Sequence, residues 1–261
     1  MGDMTYIKVQ HDDELAIVSI DRQEKLNALN AEVVQELGEV FTRLGDDDTV
    51  RAVILTGAGE KAFVAGADIG ELSTMSSMSG VAVSRAGQEV FRAIELFPKP
   101  VIASISGYAL GGGCELALAC HLRVASEKAR FGLPEVGLGI IPGYGGTVRL
   151  ARLVGLGRAI ELTLSGEVIG AERAQAIGLV SLVAKQDAVM DEAKILARKI
   201  TKNGPIAVRL ALESIYRALD TGTEAALGFE SSAFGLLAST EDMKEGMEAF
   251  LDKRKAEFKG L

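Results

Sequence analysis

The stretch "VIASISGYALGGGCELALACHLRVAS" (101–126) decides how this chain is read. It opens on β-branched and small apolar residues with no charge, as a strand buried on both faces does. Glycines then crowd together, and a run suited to a helix comes next before "HLRVAS" turns back to a strand pattern. From Val101 to Cys120 the only charged residue is Glu115. The length would suit a membrane span, but the glycines, the acid and His121 and Arg123 just beyond it argue for a soluble strand, loop and helix.

Outward from this stretch the same alternation repeats. "ELAIVSID" (14–21) and "RAVILTGAG" (51–59) read as strands. Between them "NAEVVQELGEVFTRLGDDD" (30–48) reads as a helix, with Asn30 as N-cap and Val33, Val34, Leu37, Val40, Phe41 and Leu44 as its apolar stripe. "ADIGELSTM" (67–75) is expected to form a short helix, "MSSMSGVAVS" (75–84) to be weakly ordered, and 83–97 to be helical up to Pro98. Residues 131–145 read as a glycine-rich loop that leads into a helix. From about Met190 the pattern is helical, broken near Asn203-Gly204-Pro205. The expected architecture is α/β, a repeated strand–helix core over 1–195 with a helical region over 196–261.

Composition bounds the function. Apolar residues make up 48% and charged residues 25% of 261, enough for a sizeable core. The net charge of −8 disfavours a general nucleic-acid surface. Cys114 and Cys120 sit too far apart on one helix to pair and fit a reducing compartment, so a cytoplasmic location is expected. The first twenty residues carry acids where a secretory leader needs cations. There is no dinucleotide fingerprint, phosphate loop or G-x-S-x-G elbow. Two scattered histidines, His11 and His121, make a metal centre unexpected.

Acid–base chemistry therefore falls to carboxylates. Glu115 and Glu135 stand out because they neighbour glycine-rich, apolar sequence. Gly111-Gly112-Gly113 precede the helix of Glu115, where free N–H groups point outward at the positive end of the dipole. A second donor from "VAGADIG" (64–70) would complete an oxyanion hole. Each feature alone has a plain structural reading: a tight turn, a helix-end acid, a solvated loop acid. Together they make a catalytic kit.

"AFVAGADIGEL" (62–72), "ISGYALGGGCELALACHLRVAS" (105–126) and "ARFGLPEVGLGIIPGYGGTVRL" (129–150) resemble the three signatures of the enoyl-CoA hydratase/isomerase, or crotonase, superfamily. "EKLNAL" (24–29) and "EGMEAFLDKRKAEFKG" (245–260) resemble its terminal segments. The resemblance implies a spiral of β-β-α units with a helical C-terminal trimerisation region, and a homotrimer or a homohexamer built as a dimer of trimers. It implies an acyl-CoA substrate and no separate cofactor, coenzyme A being part of that substrate. Ala67 and Gly112 match the oxyanion donors, and Glu115 and Glu135 the two catalytic glutamates of hydratases. Lys25, Ala65, Ala67, Asp68, Ile69, Gly70 and Gly112 match the substrate-binding positions, with Phe250 and Lys253 reaching the coenzyme A of a neighbouring subunit. The implied reaction is hydration of a trans-2-enoyl-CoA, in fatty-acid β-oxidation by default. An enoyl-CoA isomerase, a branched-chain or methylglutaconyl-CoA hydratase and a non-catalytic RNA-binding relative are the alternatives.

Overall fold

A computed structural model describes residues 4–261. The chain begins with β1 (Ile7–Asp12), β2 (Leu15–Ile20), α1 (Ala31–Asp46), β3 (Ala52–Gly57), β4 (Ala62–Val64), α2 (Ile69–Leu72) and α3 (Ser77–Glu95). Next come β5 (Val101–Ile105), β6 (Tyr108–Leu110), α4 (Gly112–Ala119), β7 (Leu122–Ser126) and β8 (Arg130–Gly132). The remainder is α5 (Gly146–Val154), α6 (Leu156–Ser165), β9 (Ile169–Gly170), α7 (Ala171–Ala176), β10 (Leu182–Ala184), α8 (Val189–Thr201), α9 (Pro205–Asp220), α10 (Thr223–Leu237) and α11 (Glu241–Leu251).

Two sheets organise these elements. The larger runs β1-β2-β3-β5-β7-β10, parallel from β2 onward; the smaller runs β4-β6-β8-β9. Each coil lays one strand in the large sheet, the next in the small sheet, and then a helix or turn: β3-β4-α2/α3, β5-β6-α4, β7-β8 and the turn after it. This is the β-β-α spiral expected from the resemblance.

The side-chain period of a strand and the cover on both faces explain why β3 and β5, at the centre of the large sheet, carry no charge. Along β3, Val53 and Leu55 face the main core under α1, α3 and α4, while Ala52 and Ile54 face the opposite layer. That second layer is α8, which packs Val189, Ala193 and Ala197 on Leu15, Ile17, Ile102 and Val124. Helix α8 runs through residues 195 and 196, and α9–α11 come after it with few buried side chains.

Several expectations are met in detail. Asn30 caps α1, its side chain accepting from Val33 N–H at 2.9 Å. The 101–120 stretch splits into β5, β6 and α4, and among the described residues no helix is long and apolar enough to cross a membrane. One expectation is corrected. Residues 77–84, read as weakly ordered, form the first turns of α3 behind a capping box in which Ser76 and Ser79 satisfy each other's backbone N–H groups. The apolar pattern there is blurred because Met78 and Val81 are exposed while Gly80 and Val83 line a cavity.

Candidate active site

The small sheet builds the site by ending three strands side by side. Leu110 in β6 is in register with Gly132 in β8, and Val64 in β4 lies opposite Ala109. The residues just past each strand emerge at one place: Ala65–Ala67, Gly111–Glu115 and Pro134-Glu135. Gly111 N–H donates to Gly132 O at 2.9 Å and ties the second exit to the third. Glu115 and Glu135 thus meet although the chain between them runs through α4, β7 and β8, one strand more than the sequence suggested.

Close packing there requires glycine. A Cβ on Gly113 would stand 2.0 Å from Val64 O, so α4 can press its first turn onto β4 only without a side chain. Gly112 is the first residue of α4, and its N–H has no intrahelical acceptor. Leu29 N–H donates to Gly66 O at 2.8 Å and Asp68 N–H to Leu29 O at 2.7 Å, which leaves Ala67 N–H between them. Among the described residues the N–H groups of Ala67 and Gly112 donate to no protein acceptor, and both residues line the same cavity.

That cavity has a volume of about 770 Å³ and is lined by Ala65, Gly66, Ala67, Ile69, Leu72, Met75, Val83, Glu115, Glu135, Ile140, Ile141 and Tyr144, among others. Glu115 is 2% exposed, and its Oε1 accepts from Tyr144 N–H at 2.8 Å and Gly146 N–H at 2.7 Å. Burial pushes its carboxyl up to about 7 against the pull of those two donors, and the Glu135 charge adds to the rise. Glu135 is 8% exposed, lies in the 3₁₀ turn Pro134–Leu138, and its Oε2 has no hydrogen-bond partner. Burial raises its carboxyl too. Burial raises both carboxyls, an arrangement in which one can carry a proton while the other accepts one.

The other expected residues divide. Ala65, Ala67, Ile69 and Gly112 line the cavity. Asp68 and Gly70 do not: Asp68 accepts from Gly70 N–H at 2.9 Å and pairs with Arg22 Nη2 at 2.8 Å, shaping the loop that presents Ala67. Arg22 holds the carboxyl of Asp68 below its usual range. Lys25 is exposed in the turn Gln23–Lys25, near enough to add to that effect. Phe250, 82% exposed on α11, and Lys253, just past its end, lie outside the cavity lining. Sequence reading missed Tyr144 and Gly146, whose backbone donors grip Glu115; the glycines of "PGYGG" ahead of a helix were the signal. Among the described residues no cluster of three or more His, Cys, Asp or Glu is placed to hold a metal ion.

Comparison with known proteins agrees with this fold. The enoyl-CoA hydratase/isomerase family model matches residues 10–261. A short-chain-enoyl-CoA hydratase of Clostridium acetobutylicum is 48% identical over 255 residues, covering 98% of each chain. A crotonyl-CoA hydratase of Syntrophomonas wolfei is 46% identical, covering 97% of each. The crystal structure of an enoyl-CoA hydratase from Bacillus anthracis superposes with a TM-score of 0.95 at 41% identity, over 98% of this chain and 100% of that one.

Proposed function

The chain belongs to the enoyl-CoA hydratase/isomerase family, and on that premise we propose that it is an enoyl-CoA hydratase. It adds water reversibly to a trans-2-enoyl-CoA and gives a 3-hydroxyacyl-CoA. One observation carries the reading: two buried carboxyls face a cavity that two unengaged backbone N–H groups also reach.

In this mechanism the thioester carbonyl oxygen sits between Ala67 N–H and Gly112 N–H. Those donors stabilise the enolate charge that develops as the reaction proceeds; one such donor is worth ~3 kcal/mol. Glu115, pinned through Oε1, keeps its second oxygen for a water. It accepts the water's proton as the oxygen bonds to the β-carbon. Glu135 delivers its proton to the α-carbon. The carboxyl pair ends with its one proton moved from Glu135 to Glu115, and exchange between them resets it. Isomerisation would need only one carboxyl to carry a proton along the acyl chain. A pinned acceptor facing a second acid with an unpartnered oxygen suits a water held between them.

The acyl compartment further narrows the substrate. Among the described residues its lining contains no Lys, Arg or His, so it offers no counter-ion for a terminal carboxylate. This favours a neutral aliphatic acyl group over a methylglutaconyl one. Lys25 is assigned to the coenzyme A phosphates, and Phe250 and Lys253 to the coenzyme A bound by a neighbouring copy. The reaction needs no further cofactor, because coenzyme A arrives with the substrate. Exposed apolar side chains on α10 and α11, Phe234 and Phe250 foremost, support a homotrimer or homohexamer. Two buried free thiols, Cys114 and Cys120, support the cytoplasm, and β-oxidation is the proposed setting.

The test is to mix the protein with crotonyl-CoA and monitor loss of the conjugated thioester's ultraviolet absorbance. Wild type should consume it, and Glu135→Gln should be slower by ~100-fold or more. Binding of a saturated acyl-CoA without any hydration would move the protein to another reaction of the family.

A further inference from the structure

The turn Gly143–Gly146 that grips Glu115 is itself gripped from behind. Arg149 Nη1 donates to Tyr144 O at 2.8 Å, while its Nε and Nη2 donate to Glu95 Oε2 at 3.1 and 3.0 Å. Both side chains are buried. Removing one member of such a pair leaves a buried charge alone, so its presence is costly unless the geometry is needed. The approach of the guanidinium is built into the chain. Gly145 has φ +101°, and a Cβ there would stand 2.5 Å from Arg149 Nη1. Only glycine both takes that backbone conformation without strain and leaves room for the fork. From the other side Ser84 Oγ and Gln88 Nε2 on α3 donate to Gly143 O at 2.6 and 2.9 Å. Glu95 closes α3, so helix and turn are clamped at both ends.

We propose that Arg149 and Glu95 are positioning residues for hydration: through the Tyr144 carbonyl they fix the two backbone donors that aim Glu115 at the water. This rests on the hydratase reading for its kinetic consequence, but not for its geometry. The ionisable groups that face Glu115 are Glu135 on the 3₁₀ turn, Cys114 on α4, the Tyr144 hydroxyl and Arg149 on α5; Arg149 alone among them is a cation. Behind the pair, Arg92 binds Glu95 at 3.0 Å and Asp220 of α9 at 2.8 Å, Arg152 binds Asp220 at 2.9 Å, and His121 meets Glu95 O at 3.1 Å. Burial pushes His121 down to about 4, and Tyr216 beside it is raised, so both are neutral at working pH.

The experiment uses the full chain and two variants. Glu95→Gln with Arg149→Gln removes both buried charges together and keeps their approximate volume, so that it folds. Gly145→Ala keeps every charge and displaces the guanidinium. Difference infrared spectroscopy tracks titration of the Glu115 carboxyl, identified by its loss in Glu115→Gln; crotonyl-CoA hydration gives kcat, and butyryl-CoA gives a dissociation constant. In both variants the carboxyl midpoint should rise by about half a pH unit or more, roughly threefold in the protonation constant. kcat should fall by about tenfold to a hundredfold, with butyryl-CoA affinity within about twofold of wild type. A folded double variant with the wild-type midpoint overturns the proposal, as does a Gly145→Ala protein with unchanged midpoint and kcat. If the wild type hydrates no crotonyl-CoA, the hydratase reading fails while the carboxyl titration still decides the positioning role.

Discussion

Replacing Glu115 by Gln should stabilise the protein relative to wild type increasingly as pH rises. The folded state raises the Glu115 carboxyl to about 7 from an ordinary 4.5, chiefly by burial. An acid raised on folding binds its proton more tightly in the folded chain than in the unfolded one. The stability this confers is complete below pH 4.5 and is lost as pH climbs through 7. The interval corresponds to about 3 kcal/mol at ~1.4 kcal/mol per pH unit, of which about 2–3 falls between pH 5 and pH 8. Gln preserves the shape: its carbonyl oxygen can accept from Tyr144 N–H and Gly146 N–H as the carboxyl does at 2.8 and 2.7 Å, and it has no proton to lose. Urea unfolding at fixed protein concentration, at pH 5 and at pH 8, measures the difference between the two proteins. It should grow by about 2–3 kcal/mol in favour of the variant. Stability curves that run parallel over that range would refute the claim that the fold desolvates this carboxyl.

The same geometry sets three further outcomes. Gly112→Pro should leave circular dichroism unchanged, since proline is accepted at the first position of a helix, while kcat/KM for crotonyl-CoA falls by ~100-fold or more for want of the N–H; a wild-type rate would remove Gly112 from the oxyanion hole. Gly113→Ala should lower the melting temperature by more than about 3 °C, because its Cβ meets Val64 O at 2.0 Å; a change within a degree would contradict that contact. Ellman's reagent should find no reactive thiol in the native protein and both after denaturation, because burial pushes Cys114 and Cys120 up to about 12; fast native labelling of either would contradict their burial.

How much of this was legible in the sequence depends on the range of the interaction. The helix of Asn30 and its stripe, the strand read over 51–59 and the break at Pro205 come from local pattern, and the structure has them, the strand as Ala52–Gly57. Glu115 and Glu135 were found because a charge inside apolar, glycine-rich sequence is conspicuous. Their partners were not: a backbone N–H leaves no mark on residue identity, and only the glycines of "PGYGG" ahead of a helix pointed to Tyr144 and Gly146. Arg149 carries no mark of its role in the sequence, because its acid, Glu95, lies 54 residues away. The start of α3 was lost to a blurred pattern, since that segment serves a cavity and solvent at once. The family resemblance assigned Asp68 and Gly70 to the substrate, and in the structure their bonds run into the loop itself.

The small sheet has a consequence for how such a protein can change. Because β4, β6 and β8 lie side by side, they act as a ruler that sets the spacing of the Ala67 and Gly112 N–H groups and the two acids. Segments of the cavity wall further along the chain, such as α2 and residues 138–141, are free of that constraint. Reshaping α2 or residues 138–141 would redraw the cavity wall, whereas Ser84 and Gln88 of α3 and Gly143 belong to the clamp behind Glu115 and stay in place. Under the proposed function, chain-length preference and chemistry are written on different parts of the same three coils, and one can be altered while the other is held.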